Sequence, residues 1–105
     1  MAALDDEPAA GDVTVEVTFD GAGEAVVRVG GEIDVATADT VRTAVAAALE
    51  HVPSALVFDL SAVEFIDSSG IAVLLEAAAK VDSVRIERPS NVVRRSVHGE
   101  IVVEF

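Results

Sequence analysis

The chain has 105 residues, a formal net charge of −12, no cysteine and 51% hydrophobic residues. That length makes one domain able to bury its own core, and the missing cysteine excludes disulfides, thiolate metal sites and thiol catalysis. Residues 1–67 hold 14 acids against Arg28 and Arg42, whereas residues 68–105 hold five of each sign. Nucleic acid or an anionic membrane would be repelled by that acidic front half. A basic protein partner suits it, and so does the plainer role of keeping a Val/Ala-rich domain in solution.

Residues 1–11 read as a flexible acidic tail, with no periodicity and no apolar segment of a secretory signal. No apolar run approaches the ~20 residues that span a bilayer, so the expectation is a cytoplasmic, soluble chain. "DVTVEVTF" alternates, with Val13, Val15, Val17 and Phe19 on one face of a first strand. Asp20-Gly21 is hairpin chemistry, and "AVVRVGG" is the second strand, paired antiparallel with the first. From Thr37, a candidate N-cap, the period changes to that of a helix with Val41, Val45, Ala48, Leu49 and Val52 inward, ended by Pro53. "ALVFDL" is an uninterrupted apolar strand of the kind buried on both faces.

After "DSSG" a second helix places Ile71, Leu74, Leu75 and Ala78 on its inner face and runs to about Lys80. "SVRIE" is a fourth strand. "RPSNVVRRSVHG" reads as a third helix with Val93 and Val97 inward and Gly99 as its stop, and "IVVEF" as a fifth strand or a packed tail. The order β-β-α-β-α-β-α-β predicts an α/β domain over residues 12–105. It has a mixed, mostly parallel sheet of four to five strands, an antiparallel N-terminal edge and about three helices.

Asp67-Ser68-Ser69-Gly70 stands where a strand passes into a helix. A serine nucleophile needs a base and oxyanion donors, yet His51 and His98 both fall at helix ends, on the edge of the sheet away from the serines, and the pattern is not G-x-S-x-G. A phosphate-binding G-x-x-x-x-G-K-[ST] is missing, Lys80 being the sole lysine, and no His/acid cluster has metal-ligand spacing. A phospho-aspartate receiver would want paired acids after its first strand, and Asp5-Asp6 lie in the tail. Asp59 and Glu64, near the third strand, read as solvated loop acids. The corner itself reads as an N-cap, with the Asp67 carboxylate accepting from the N–H of Ser69 or Gly70. A glycine in the first turn costs roughly 0.5–1 kcal/mol relative to alanine, which predicts a close approach to the backbone there. Two readings of the residues stand side by side: a plain capping corner, or a hydroxyl that can be phosphorylated at a helix start without unfolding it.

Three segments go beyond generic pattern. "VGGEIDVATADTVRTAV", "LVFDLSAVEFIDSSGIAVLLEA" and "IERPSNVVRRSV" together resemble the STAS domain family, specifically the bacterial anti-sigma-factor antagonists, over nearly all of residues 12–105. They match its G-E-[LI]-D signature (Gly31-Glu32-Ile33-Asp34), its [DN]-L-S followed by D-S-S-G, and its P-S-x-x-V-R-R. One departure is the end of the chain, where "HGEIVVEF" stands in place of a longer final helix and tail.

The resemblance implies a binding module without cofactor, metal or enzymatic activity. It implies that Ser69, directly before the glycine, is phosphorylated by a partner that is both anti-sigma factor and serine kinase. Unphosphorylated antagonist binds that partner and frees a sigma factor; phosphorylation switches binding off, and a PP2C-type phosphatase restores it. Glu32 and Asp34, placed in the neighbouring loop, and Asp67, Ser68, Ser69 and Gly70 would form the binding surface. The alternatives are a constitutive STAS interaction module that is never phosphorylated and, less well supported, a nucleotide-binding domain.

Overall fold

Valines at positions 13, 15 and 17, half-buried between exposed Thr14, Glu16 and Thr18, make the first strand one-sided. The computed structural model describes residues 12–88, 90 and 93 of the chain. Its elements are β1 (Val13–Phe19), β2 (Glu24–Ile33), α1 (Ala38–Leu49), β3 (Ala55–Ile66), α2 (Ser68–Ala78) and β4 (Val84–Glu87). Asp20 closes the β1–β2 hairpin, its carboxylate accepting from the N–H groups of Ala22 and Glu24 at 2.9 Å. The four strands lie in the order β1-β2-β3-β4, with β1–β2 antiparallel and the other two pairs parallel. The expected mixed sheet and antiparallel edge are therefore present, with four strands and two helices among the described residues.

Ala25 and Val27 of β2 lie in register with Leu56 and Phe58 of β3, and Phe58 with Ile86 of β4. This apolar surface packs with Val41, Val45 and Ala48 of α1 and with Val73, Leu74 and Ala77 of α2. The two helices touch across it, Arg42 Nε donating to Glu76 Oε1 at 2.8 Å. Val93 is helical, fully buried and part of the same core. Its N–H meets the Ser90 hydroxyl at 3.3 Å, the spacing of an N-cap. The rest of the expected third helix, the fifth strand and the acidic tail lie outside the described residues. No helix among the described residues is long and apolar enough to cross a membrane.

The structure corrects several expectations. β3 does not stop at Leu60 but continues to Ile66, because two register shifts against β2 each add a residue to it. The buried positions consequently run Leu60, Val63, Ile66 instead of alternating. Val52 lies beyond α1 with a left-handed backbone (φ 49°) that turns its side chain into solvent. In α2 the inner face is Gly70, Ile71, Val73, Leu74 and Ala77, while Leu75 and Ala78 are exposed. Gly70 must face the sheet, and that requirement rotates the helix away from Leu75. Phe19, at the end of β1, is half-exposed and lies against the ring of His51, with centroids 4.5 Å apart.

Asp59, expected in a solvated loop, is buried within β3. Glu16, Arg28 and Asp59 stand in register on the sheet face opposite the helices. Arg28 donates to Glu16 at 2.9 Å and, through Nε, to Asp59 Oδ2 at 3.2 Å. Arg88, held in a left-handed backbone (φ 52°), donates to the same oxygen. Ser61 supplies its hydroxyl (2.8 Å) and N–H (3.2 Å) to Oδ1. On the same face Arg85 of β4 crosses the small side chains of Ala55 and Val57 to pair with both Glu24 oxygens on β2 (3.0 and 2.9 Å).

Burial alone would raise the Asp59 pKa, but Ser61, Arg88 and Arg28 outweigh it and hold the carboxyl below its ordinary value of 3.8. An aspartate lowered in the folded state stabilises the fold fully above its unfolded value and gives this up as pH falls through the lower folded one. Asp59→Asn is therefore expected to unfold with about 1–3 kcal/mol less stability at pH 7. In urea melts across pH, the gap from the parent should persist to about pH 4 and shrink below it. A gap that does not change on acidification would contradict this assignment.

Candidate functional site

The ends of β2 and β3 meet at one edge of the sheet. Gly31 makes this possible on the β2 side: its φ is 91°, and a Cβ there would stand 2.3 Å from the Asp12 carbonyl oxygen. Beyond it, Glu32 is partnered with Phe65 and Ile33 with Ile66. Asp67 N–H donates to the Ile33 carbonyl at 3.2 Å, stitching the corner to the end of β2.

Asp67 has an extended backbone and caps α2, its Oδ1 accepting from Ser69 N–H at 2.8 Å and Gly70 N–H at 3.4 Å. The expected cap is thus present. Ser68 is exposed and Ser69 half-buried in the first turn. Gly70 is buried, and the close approach expected there comes from the protein itself. A Cβ on Gly70 would lie 2.6 Å from Ile66 Cγ1 and 2.8 Å from Ile33 Cγ2. Gly70 therefore offers a partner no side chain; it seats α2 on the ends of the two strands.

Glu32 belongs to the last turn of pleat in β2, not to a loop, and Asp34 is the first loop residue after it. The Asp34 carboxylate is taken up in the turn before α1, accepting from Ala36 N–H (2.9 Å) and Thr37 N–H (3.1 Å). Thr37 occupies the N-cap position without a side-chain cap. Its buried hydroxyl donates to the Glu32 carbonyl (2.7 Å) and accepts from Asp34 N–H (2.9 Å), locking the Glu32–Asp34 segment against α1. So the structure brings the two predicted segments, Glu32–Asp34 and Asp67–Gly70, to the same edge. Asp34 serves its own turn there, and Gly70 the core.

Sequence reasoning missed three contributors. Val35 is 81% exposed and Phe65 46%, leaving two apolar side chains in water beside the corner. Arg42 lines an open groove between the starts of α1 and α2 together with Val35, Ala38, Asp39, Ser69 and Ala72. Periodicity carried the signal for Phe65 once the register shifts in β3 are allowed, and nothing in the pattern carried it for Val35. His51 lies at the opposite edge, near the start of β3, and His98 lies outside the described residues. Among the described residues no three His or acidic side chains gather as a metal-binding group.

A family model described as "STAS domain" matches residues 15–99. The anti-sigma-F factor antagonist RsfB of Mycobacterium tuberculosis is 40% identical over 89 residues, which cover 82% of this chain and 72% of that protein. The crystal structure of an anti-sigma factor antagonist from Mycobacterium paratuberculosis superposes with a TM-score of 0.79 at 36% identity, covering 88% of this chain and 80% of that one. SpoIIAA in its unphosphorylated form shares the fold, with a TM-score of 0.71 at 19% identity over 82% of this chain and 79% of that one.

Two substitutions test how the corner is held. Asp67→Ala should remove about 1 kcal/mol of stability, and Asp67→Asn, which keeps a capping oxygen, should restore most of it. Gly70→Ala should be destabilising by about 1–3 kcal/mol through overcrowding, despite alanine's better helix propensity. Denaturant midpoints check both; a neutral or stabilising Gly70→Ala would contradict the packing described here.

Proposed function

The chain belongs to the STAS domain family, and from that membership we propose that it is an anti-sigma-factor antagonist switched by phosphorylation of Ser69. Unmodified, it binds an anti-sigma factor that is also a serine kinase and thereby frees a sigma factor. Phosphorylated, it lets go, and a PP2C-type phosphatase returns it to the binding form. The events belong to the cytoplasm, and the chain is a substrate in them, not an enzyme.

The observation that carries this reading is the position of Ser69. It sits in the first turn of α2, its N–H taken by the Asp67 cap, at an edge that also presents Val35 and Phe65. Exposed apolar side chains give a partner an adhesive surface. Glu32, Asp34, Asp39 and Glu64 surround them with negative charge that complements a basic partner. Of the two serines, Ser69 precedes the glycine, matching the family's acceptor. The identity to RsfB, itself named an anti-sigma-F factor antagonist, supports the partner class.

The chemistry asked of the site is small. The kinase would join the Ser69 oxygen to the γ-phosphorus of ATP, with loss of the hydroxyl proton and departure of ADP. The phosphatase would reverse the modification with water, giving serine and inorganic phosphate. The helix start tolerates the added group, and SpoIIAA, solved also in its phosphorylated form with a TM-score of 0.67 to this chain, supports a fold able to carry one. About −1.5 to −2 charges arrive beside Asp67. Repulsion and exclusion that cost about 3–4 kcal/mol of binding weaken a complex several-hundred-fold.

Incubation with the cognate kinase and ATP should add one phosphate by intact mass, and Ser69→Ala should abolish the addition. A phosphate that survives Ser69→Ala would move the site elsewhere. A chain that takes none, and whose Ser69→Ala and Ser69→Glu variants bind the partner equally, would be a constitutive module.

A further inference from the structure

We propose that Arg42 receives the phosphoryl group of Ser69, exchanging its contact with Asp39 for one with the phosphate. The inference rests on the reading of Ser69 as the phosphoacceptor and names the residue that responds to the modification.

Arg42 is held between two helices. Its Nε and Nη2 donate to the Glu76 carboxylate on α2, at 2.8 and 3.4 Å, and its Nη1 donates to Asp39 on α1. Asp39 and Ser69 are each the second residue of their helix, and both helices begin at the same edge of the sheet. Asp39, Arg42 and Ser69 therefore face one open groove, with Glu76 two turns further along α2. The guanidinium already bridges the distance from Glu76 toward the edge where the Ser69 hydroxyl stands.

Among the described residues Arg42 is the one cation lining that groove. Arg28, Arg85 and Arg88 are engaged on the opposite sheet face, and Lys80 follows the far end of α2. The Asp39 side chain is 88% exposed, and an ion pair so open to water is weakly held. A phosphate carries nearly twice the charge of a carboxylate and accepts the guanidinium fork with three oxygens. Competition for Nη1 therefore favours the phosphate, while the Glu76 contact serves as the pivot.

The exchange has a consequence for the switch. Phosphate drawn to Arg42 ties the first turn of α2 to α1 and leaves the Asp39 carboxylate unneutralised at the partner-facing edge. The modification then changes that edge twice, by the charge it adds and by the acid it uncovers.

The test uses the full chain with phosphoserine installed at position 69 during translation, so the result does not depend on any kinase. Phosphorus NMR titration should give a second phosphate pKa lower by about half a unit in the parent than in Arg42→Gln. The Arg42 Nε–H signal of the parent should move with the same titration, a measurement that requires no substitution to fold. A phosphate pKa unaffected by Arg42→Gln, or an Nε–H signal indifferent to the phosphate, overturns the proposal. Failure of the acceptor reading itself would show separately, as no mass gain at Ser69 with the cognate kinase.

Discussion

The absence of a side chain at Gly70 sets the distance at which α2 meets the sheet. Ile33 and Ile66, the last residues of β2 and β3, press so near its backbone that a single methyl group would lie 2.6–2.8 Å from them. Much of the site's geometry depends on that contact. It fixes the rotation of α2, turning Val73, Leu74 and Ala77 inward and leaving Leu75 in water. It brings Asp67 under the Ile33 carbonyl, and it leaves Ser68 and Ser69 on the outward side of the first turn. The proposed acceptor, Ser69, is thereby mounted on a helix start whose position is set by packing, not by its own hydroxyl. This is the structural condition for a switch that alters a surface and leaves the fold alone.

The two faces of the sheet divide the work. On one, the apolar residues of β2 and β3 hold both helices and so position the edge carrying Ser69. On the other, Asp59 gathers Arg28, Arg88 and Ser61, and Arg85 spans β3 to reach Glu24. Among the described residues these basic groups are committed at the back of the sheet, away from the acids of the edge that carries Ser69. Among the described residues Arg42 is the single basic counterweight in the groove next to Ser69.

Much of this was legible in the residues. The alternating valines of β1, the Asp20 hairpin, the inner face of α1 from Val41 to Ala48 and the Asp67 cap each follow from a local rule that the fold does not override. What escaped depends on contacts between elements. The two register shifts in β3 convert an alternating pattern into a spacing of three, so that its second half looked like a loop and Asp59 like a solvated acid. The Asp34 carboxylate, expected on the binding surface, also serves its own turn, accepting from backbone N–H groups two and three residues on. The glycine in DSSG signalled a close approach correctly; only the structure identifies the visitors as Ile33 and Ile66, and not a ligand.

The DSSG corner is thus a capped, tightly packed helix start that leaves one half-buried hydroxyl beside an acidic, partly apolar edge. The proposed switch turns on whether a phosphate at that hydroxyl expels the partner. Titration calorimetry of the cognate anti-sigma factor against the chain, with serine or phosphoserine at position 69, measures this directly. The serine form is expected to bind tightly, and the phosphoserine form with an affinity lower by roughly a hundredfold or more. Equal affinities would contradict it.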